Sequence, residues 1–471
     1  VSFCFSRVSA VVASWLLLFF TLPCISPAQV KPSASHDALS SAEQKQLQSA
    51  LDAQEAGHLQ DAESVLHTLS VHHPHNFEIL ESFGLLYVAQ SDFTKAIPYL
   101  QRASAVSPRS AIASANLGAA YLKAGRQKEA IAALEKSSAL DPGNADTQAN
   151  LGIALMQDGQ ASRAAKAFAI AANSRPHDAD LLYNWAVALL AANQAEKAAD
   201  VGGRIPGAET SGQVQSLLAD AAEHSGKFKE AVEHYEAAAK LDPSEANLYA
   251  LGMEFVRHWT FEPATKVFEY GLTRYPGSAR LLSGQGIALY ANNDYAGAAK
   301  IFSGLLEKFP DNSTYAEILG HSCNLMPDAS EGCETLVDFA VKHPGNASAE
   351  TYGAAIVLHR TAEAKNLELA RTLLEHAIAA NPKLPEAYFQ LGVLQQQQGK
   401  WEESKAALEQ CLTLSPHLSR AHYRLGLAYS RLGDKAKARA EFDLQRKYSQ
   451  EEKDQVNARL EEVTTFLVSG K

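Results

Sequence analysis

The chain has 471 residues, of which 42 are Lys or Arg and 53 are Asp or Glu, for a formal net charge of −11. So acidic a chain disfavours DNA, RNA and anionic lipid as partners, because their phosphates carry the same sign. Length alone would suggest two or three globular domains, an expectation that the internal repeat described below removes.

At the amino end, Arg7 precedes an apolar run from Val8 to Phe20, and Ser26-Pro27-Ala28 sets small residues at the cleavage-defining positions before Gln29. This pattern predicts a secretory signal over residues 1–28 and an exported chain, periplasmic or extracellular after cleavage. The run is short for a bilayer span, and no other segment is long and apolar enough, so the mature chain is expected to have no membrane span. Two other readings stay open: an uncleaved anchor, and lipidation at Cys24, where Thr21-Leu22-Pro23 lacks the small residues wanted before the cysteine. Residues 29–42 are polar and proline-containing and read as a linker.

From there a pattern of about 34 residues recurs. Gly84, Gly118, Gly152, Gly252, Gly286, Gly320, Gly392 and Gly426 mark the eighth residue of a unit. Ala96, Ala130, Ala164, Ala264, Ala298 and Ala438 follow twelve residues later, and large apolar residues such as Phe168, Phe268, Phe302, Leu408 and Phe442 come four residues after the small residue at that position. Proline closes most units, for example Pro108, Pro142, Pro176, Pro276, Pro310 and Pro344. The spacing predicts two helices per unit. The small residues let them approach closely, the large ones share a helical face with them, and proline ends the second helix because it lacks an amide proton and clashes with the preceding turn.

These residues resemble the tetratricopeptide repeat. The resemblance spans residues about 43–447, in twelve units starting near Glu43, Phe77, Ala111, Ala145, Ala179, Gly212, Glu245, Ala279, Ser313, Ala347, Pro385 and Ser419. It implies an all-α chain, a right-handed α-solenoid superhelix whose first helices line a concave groove for a protein or peptide, with a capping helix at the carboxy end.

The fifth unit departs from the pattern at Val201-Gly202-Gly203-Arg204-Ile205-Pro206-Gly207, which cannot continue a helix. Either the array kinks here or the loop covers the unit's apolar face. A kink is the reading preferred, giving an N-terminal block at 43–208 and a C-terminal block at 209–447. Further irregularities fall at Asn324–Asp328 and Thr361–Lys365, and residues 448–471 form the expected cap and tail, with Val456, Leu460, Val463, Phe466 and Leu467 as its apolar positions. Cys323 and Cys333 fall on the two helices of the ninth unit, and two readings stand: a disulfide in an oxidising compartment, or buried, inert thiols, like Cys411. Their spacing argues against zinc.

One phase of the first helices carries Asn116, Asn150 and Asn184. A side-chain amide both donates and accepts, so a ladder of them can hold a peptide backbone whatever its side chains. This pattern is similar to the asparagine ladder in the repeat superhelix of O-linked N-acetylglucosamine transferases. The competing reading is local, an amide bonding a neighbouring repeat. Groove neighbours expected in this block are Ala115, Ala119, Leu122, Ala149, Ile153, Met156, Tyr183, Val187 and Leu190. The Lys/Asn/Lys/Arg set with which chaperone-binding members of the family clamp a terminal carboxylate is replaced by Glu78, Glu81, Asp146 and Asp180, so an acidic tail is not the expected ligand. A second groove is read at Glu386, Phe389, Gln396, Gln397, Arg420, Tyr423 and Arg431, against ordinary solvated helix faces. His72-His73-Pro74-His75 reads as a solvated turn, and no metal or cofactor is expected. Asn312-Ser313-Thr314 and Asn346-Ala347-Ser348 match a glycosylation pattern. No phosphate-binding loop, HExxH or GxSxG stands in the sequence. The expected function is therefore a non-enzymatic protein-interaction scaffold. Two alternatives remain: a periplasmic subunit of an envelope complex that exports polysaccharide or assembles outer-membrane proteins, and an accessory to an enzyme.

Overall fold

The computed structural model describes residues 38–326, 331–360 and 364–468. The signal read at 1–28 and residues 29–37 of the linker lie outside them. The described residues form an α-solenoid of twenty-four α-helices and no strand. In order they are α1 Ser41–Glu55, α2 Leu59–His72, α3 Phe77–Ala89, α4 Phe93–Val106, α5 Ala111–Lys123, α6 Gln127–Leu140, α7 Ala145–Gln157, α8 Ala161–Ser174, α9 Ala179–Ala191, α10 Ala195–Gly203, α11 Gly212–His224 and α12 Phe228–Leu241. There follow α13 Glu245–Arg257, α14 Phe261–Arg274, α15 Ala279–Ala291, α16 Tyr295–Lys308, α17 Ser313–Leu325, α18 Glu331–Lys342, α19 Ala347–Arg360, α20 Ala364–Ala380, α21 Pro385–Gln397, α22 Trp401–Leu414, α23 Ser419–Arg431 and α24 Lys435–Val468. Odd-numbered helices open the units and even-numbered ones close them. The described residues group into two compact units, 38–234 and 235–468. The division falls within α12, so the boundary read at 208/209 lies inside the first unit.

Close packing within each helix pair follows from the repeat's small residues. A methyl group added at Gly118 would stand 2.6 Å from Leu134, at Gly152 2.6 Å from Phe168, at Gly286 2.6 Å from Phe302 and at Gly426 2.6 Å from Phe442. Each large side chain sits on the glycine sixteen residues before it, in the space a Cβ would need. Ala96, Ala130, Ala164, Ala264 and Ala298 are fully buried beside these contacts. Phe268 is held from two sides, by Gly252 on α13 and Gly284 on α15.

First helices begin cleanly because a capping residue follows the closing proline. Asn76, Ser110, Asn144, Asp178, Ser278 and Asn312 each accept a hydrogen bond from a backbone amide in the first turn. At the amino end Ser40 and Glu43 form a capping box, so α1 starts at Ser41, inside the expected linker. The closing prolines contribute too, since their carbonyls accept side-chain donors: Pro74 from Arg102, Pro142 from Gln148, Pro310 from Asn346 and Pro416 from His422.

The irregular units resolve individually. α10 stops at Gly203, and the chain then stays packed in the apolar core it shares with α11, the opening helix of the sixth unit. Ile205 is 5% exposed, and Gln215 Nε2 donates to Ala208 O at 2.9 Å. This packing fits the second role read for the segment, covering an apolar face. In the ninth unit the pattern changes: Gly320 is met by Tyr352 of α19 instead of by a residue of α18. A disulfide joins Cys323 to Cys333, with Cα atoms 5.7 Å apart, while Cys411 is a buried free thiol. Residues 327–330 of one expected irregularity and 361–363 of the other lie outside the described residues. The carboxy-terminal helix is the uninterrupted continuation of α24, 34 residues with no Gly or Pro to break it. Val456 on it is 46% exposed. The side chains of Leu460, Val463, Phe466 and Leu467 lie outside the description.

Gly252→Ala is expected to lower stability by about 1–3 kcal/mol, because Phe268 is pinned by a second glycine and cannot swing aside. Helix propensity alone predicts the opposite sign, a gain of about 1 kcal/mol. Urea unfolding decides between them, with Gly252→Ala/Phe268→Leu recovering part of the loss. The disulfide closes a loop with a sequence separation of 10, worth about 2–3 kcal/mol. Thermal unfolding with and without reductant should therefore differ, and Cys323→Ser should melt like the reduced chain.

Candidate functional site

Within residues 38–234 the first helices α3, α5, α7, α9 and α11 lie side by side. A stripe along them, spaced by three or four residues, is left half-buried: Ala115 and Ala119 on α5, Ala149, Ile153 and Met156 on α7, Tyr183, Val187 and Leu190 on α9, with Leu122 more fully covered. Alanine on α5 and α7 where α9 has tyrosine leaves the face shallow and apolar. The Tyr183 hydroxyl hydrogen-bonds Gln213, and burial raises its pKa.

The three asparagines of the ladder meet different surroundings. Asn116 is buried, and its Nδ2 donates to Glu81 Oε1 of the preceding unit at 2.9 Å. Asn150 and Asn184 are half-buried, and neither makes a hydrogen bond to another group among the described residues. The identical phase therefore contains one amide that ties two repeats together and two whose donors and acceptors remain available. The sequence held a signal for this difference. Position five of the preceding unit, which faces the next asparagine, is Glu81 before Asn116 but Ala115 and Ala149 before the others.

Glu81 is electrostatically unusual. Burial pushes its carboxyl up to about 7, against the Asn116 hydrogen bond that favours the ionised form, and the Glu78 charge adds to the rise. Glu78, Asp146 and Asp180 are exposed at the starts of α3, α7 and α9. Arg175 approaches Asp146 at 3.3 Å and Asp178 at 3.4 Å. Lys123, at the far end of the α5 stripe, is half-buried, and burial lowers its pKa.

The second groove read from the sequence is built differently. Arg420 pairs with Glu386 and lies over the Phe389 ring at 4.5 Å, and Gln390 Nε2 also donates to Glu386 at 2.8 Å. Gln396 Nε2 donates to Arg424 O at 2.9 Å, Gln397 Nε2 to Leu358 O at 3.2 Å, and Arg431 stacks over Trp401 at 5.4 Å. Its glutamines and Arg420 are engaged within the protein, among the described residues Arg431 meets the Trp401 ring alone, and Tyr423 is an exposed ring. At the histidine turn, His73 Nε2 lies 3.0 Å from Glu43 Oε1, while His72 and His75 are exposed. Both asparagines of the glycosylation pattern do structural work. Asn312 caps α17, and Asn346 donates to Pro310 O at 2.9 Å and accepts from Ala349 N at 3.0 Å.

A family model described as tetratricopeptide repeat matches residues 81–145, 150–212, 249–313 and 389–451, and a second of the same description matches 212–245. No curated protein gives a significant sequence match. Similar solved structures include Naa15/Naa10 bound to HypK-THB, at 16% identity over 86% of this chain and 68% of that one, with a TM-score of 0.40. Yeast Tom70 is 13% identical over 84% of this chain and 96% of its own, with a TM-score of 0.38. YrrB, described as a TPR protein with an unusual peptide-binding site, is 18% identical over 39% of this chain and 95% of its own, with a TM-score of 0.34.

The raised Glu81 pKa has a signed consequence. Between pH 4.5 and about 7 the folded chain keeps a proton that the unfolded chain has released. Glu81's contribution to stability is therefore full at low pH and falls as pH rises through that window. Glu81→Gln, which keeps an acceptor for Asn116, is expected to be neutral below the window and stabilising above it, by on the order of 2–3 kcal/mol. Melting curves of both chains across pH test this; a difference independent of pH would contradict it.

Proposed function

Because the chain belongs to the tetratricopeptide repeat family, whose members are protein-interaction scaffolds, we propose that it holds a peptide or protein segment against the first-helix face of residues 38–234. The observation that carries this reading is the pair Asn150 and Asn184: two half-buried amides without protein partners, set among Ile153, Met156, Tyr183 and Val187. Both amides keep donors and acceptors that no protein group has taken, and a peptide backbone offers an acceptor and a donor to pair with them. An apolar, shallow face suits the side chains of an extended or helical segment. Asn116 is not part of this contact, because Glu81 already occupies it. The proposed work is binding without catalysis.

Its setting is proposed to be outside the cytoplasm, following the signal pattern at 1–28. The Cys323–Cys333 bridge supports that setting, since such bridges persist in oxidising compartments.

Capture from an envelope extract of the source cell, with the full chain beside an Asn150→Ala/Asn184→Ala variant of unchanged helicity, tests the reading. A partner held by the parent should be lost or weakened about tenfold by the variant, two hydrogen bonds being removed, whereas Asn116→Ala should lower stability before it lowers affinity. Equal retention by the parent and the double variant would move the contact off this face.

A further inference from the structure

The charge around this face says more about its occupant. We propose that the segment held on the first-helix face of residues 38–234 is a cationic amphipathic stretch of another protein, apolar on one side and bearing Lys or Arg on the other. This rests on the reading that the face is a docking surface at all.

Along the stripe and at its start stand Glu78, Glu81, Asp146, Asp180 and Asp220, against Lys123 and against Arg175, which lies 3.3 Å from Asp146. A local explanation exists for part of this set. An acid in the first turn of a helix is favoured by the amide groups exposed there, which accounts for Glu78, Asp146 and Asp180. It does not account for Glu81 or Asp220, which lie further along their helices. Nor does it explain why first-turn acids elsewhere have side-chain partners while two of these three do not. In residues 235–468 the first-turn acid Glu386 is paired with Arg420 and Gln390, and Glu245 accepts from Ser278 Oγ at 2.6 Å. Glu78 and Asp180, by contrast, have no hydrogen bond or ion pair to their side chains among the described residues.

Glu81 strengthens the case. Its half-buried carboxyl is held beside Glu78 with one amide as its partner, an arrangement that a cation delivered by a ligand would relieve. The apolar stretch of Ala149, Ile153, Val187 and Leu190 then meets the other side of the ligand. A second copy of the chain is a poor occupant, because a net charge of −11 repels its like.

The test uses the full chain and three labelled synthetic peptides of equal length followed by fluorescence anisotropy: a leucine/lysine amphipathic helix, a leucine/glutamate peptide with the same leucines, and a serine/lysine peptide without an apolar side. The leucine/lysine peptide should bind about tenfold more tightly than either of the others. It should weaken about tenfold with Glu78→Gln/Glu81→Gln/Asp180→Asn and lose affinity at high salt. Neutralising three exposed acids elsewhere, Glu209→Gln/Glu307→Gln/Glu403→Gln, should change binding by less than about twofold; equal weakening by both triples would overturn the proposal in favour of a bulk charge effect. A leucine/glutamate peptide that binds as tightly, and is lost with Asn150→Ala/Asn184→Ala, would overturn the charge assignment while leaving the docking face intact. If no leucine peptide binds, both the charge assignment and the docking face fail. Binding that appears only after residues 1–37 are removed would make the chain's own amino-terminal segment the occupant, and binding that competes with self-association would make it a second copy; either overturns the proposal.

Discussion

The contact on which this solenoid rests is a glycine backbone taking the weight of a large side chain sixteen residues later. With no Cβ at Gly118, Gly152, Gly286 or Gly426, the opening and closing helices of a unit approach until Leu134, Phe168, Phe302 or Phe442 lies directly on the backbone. A glycine within a helix costs roughly 1 kcal/mol against alanine, so its recurrence at one phase is explained by packing and not by propensity. The resulting pair is thin, and its faces are completed only by the next pair. The ninth unit shows what happens when the contact is replaced. There a tyrosine from the following unit sits on Gly320, and a covalent bridge holds α17 to α18.

Between units the connection is polar and local. The proline that ends one unit has no amide to donate, but its carbonyl is taken up by Arg102, Gln148, Asn346 or His422 in different turns. Two residues later a short polar side chain caps the next helix. The cap follows from the Pro-x-Asn, Pro-x-Ser and Pro-x-Asp spacings, because capping acts over three residues. The donors to the proline carbonyls follow no fixed spacing, because they reach from as near as six residues and as far as thirty-six.

The candidate face illustrates how one repeat phase can serve two ends. Asn116, Asn150 and Asn184 are equivalent in sequence, yet Asn116 joins two repeats while the others keep their amides unengaged. What separates them is the neighbour on the preceding helix, a carboxylate in one case and a methyl in the other two. The same logic distinguishes the two faces. Arg420, Gln396 and Gln397, which suggest a ligand site when read singly, find their partners inside the protein. On the face of residues 38–234, Glu78 and Asp180 do not, and the face there stays apolar between them.

By itself the sequence determined the helix pairs, their number and the residues that seat them, because those depend on spacings within a 34-residue unit repeated often enough to stand clear of chance. It also determined the acid-bordered, apolar character of the first-helix stripe. Tertiary structure alone decided which polar groups on that stripe are already occupied, that the Gly202–Gly207 segment buries Ile205 in the core shared with α11, and that α24 runs unbroken past the end of the last unit. Those outcomes turn on contacts between residues far apart along the chain, whose distances no periodicity encodes.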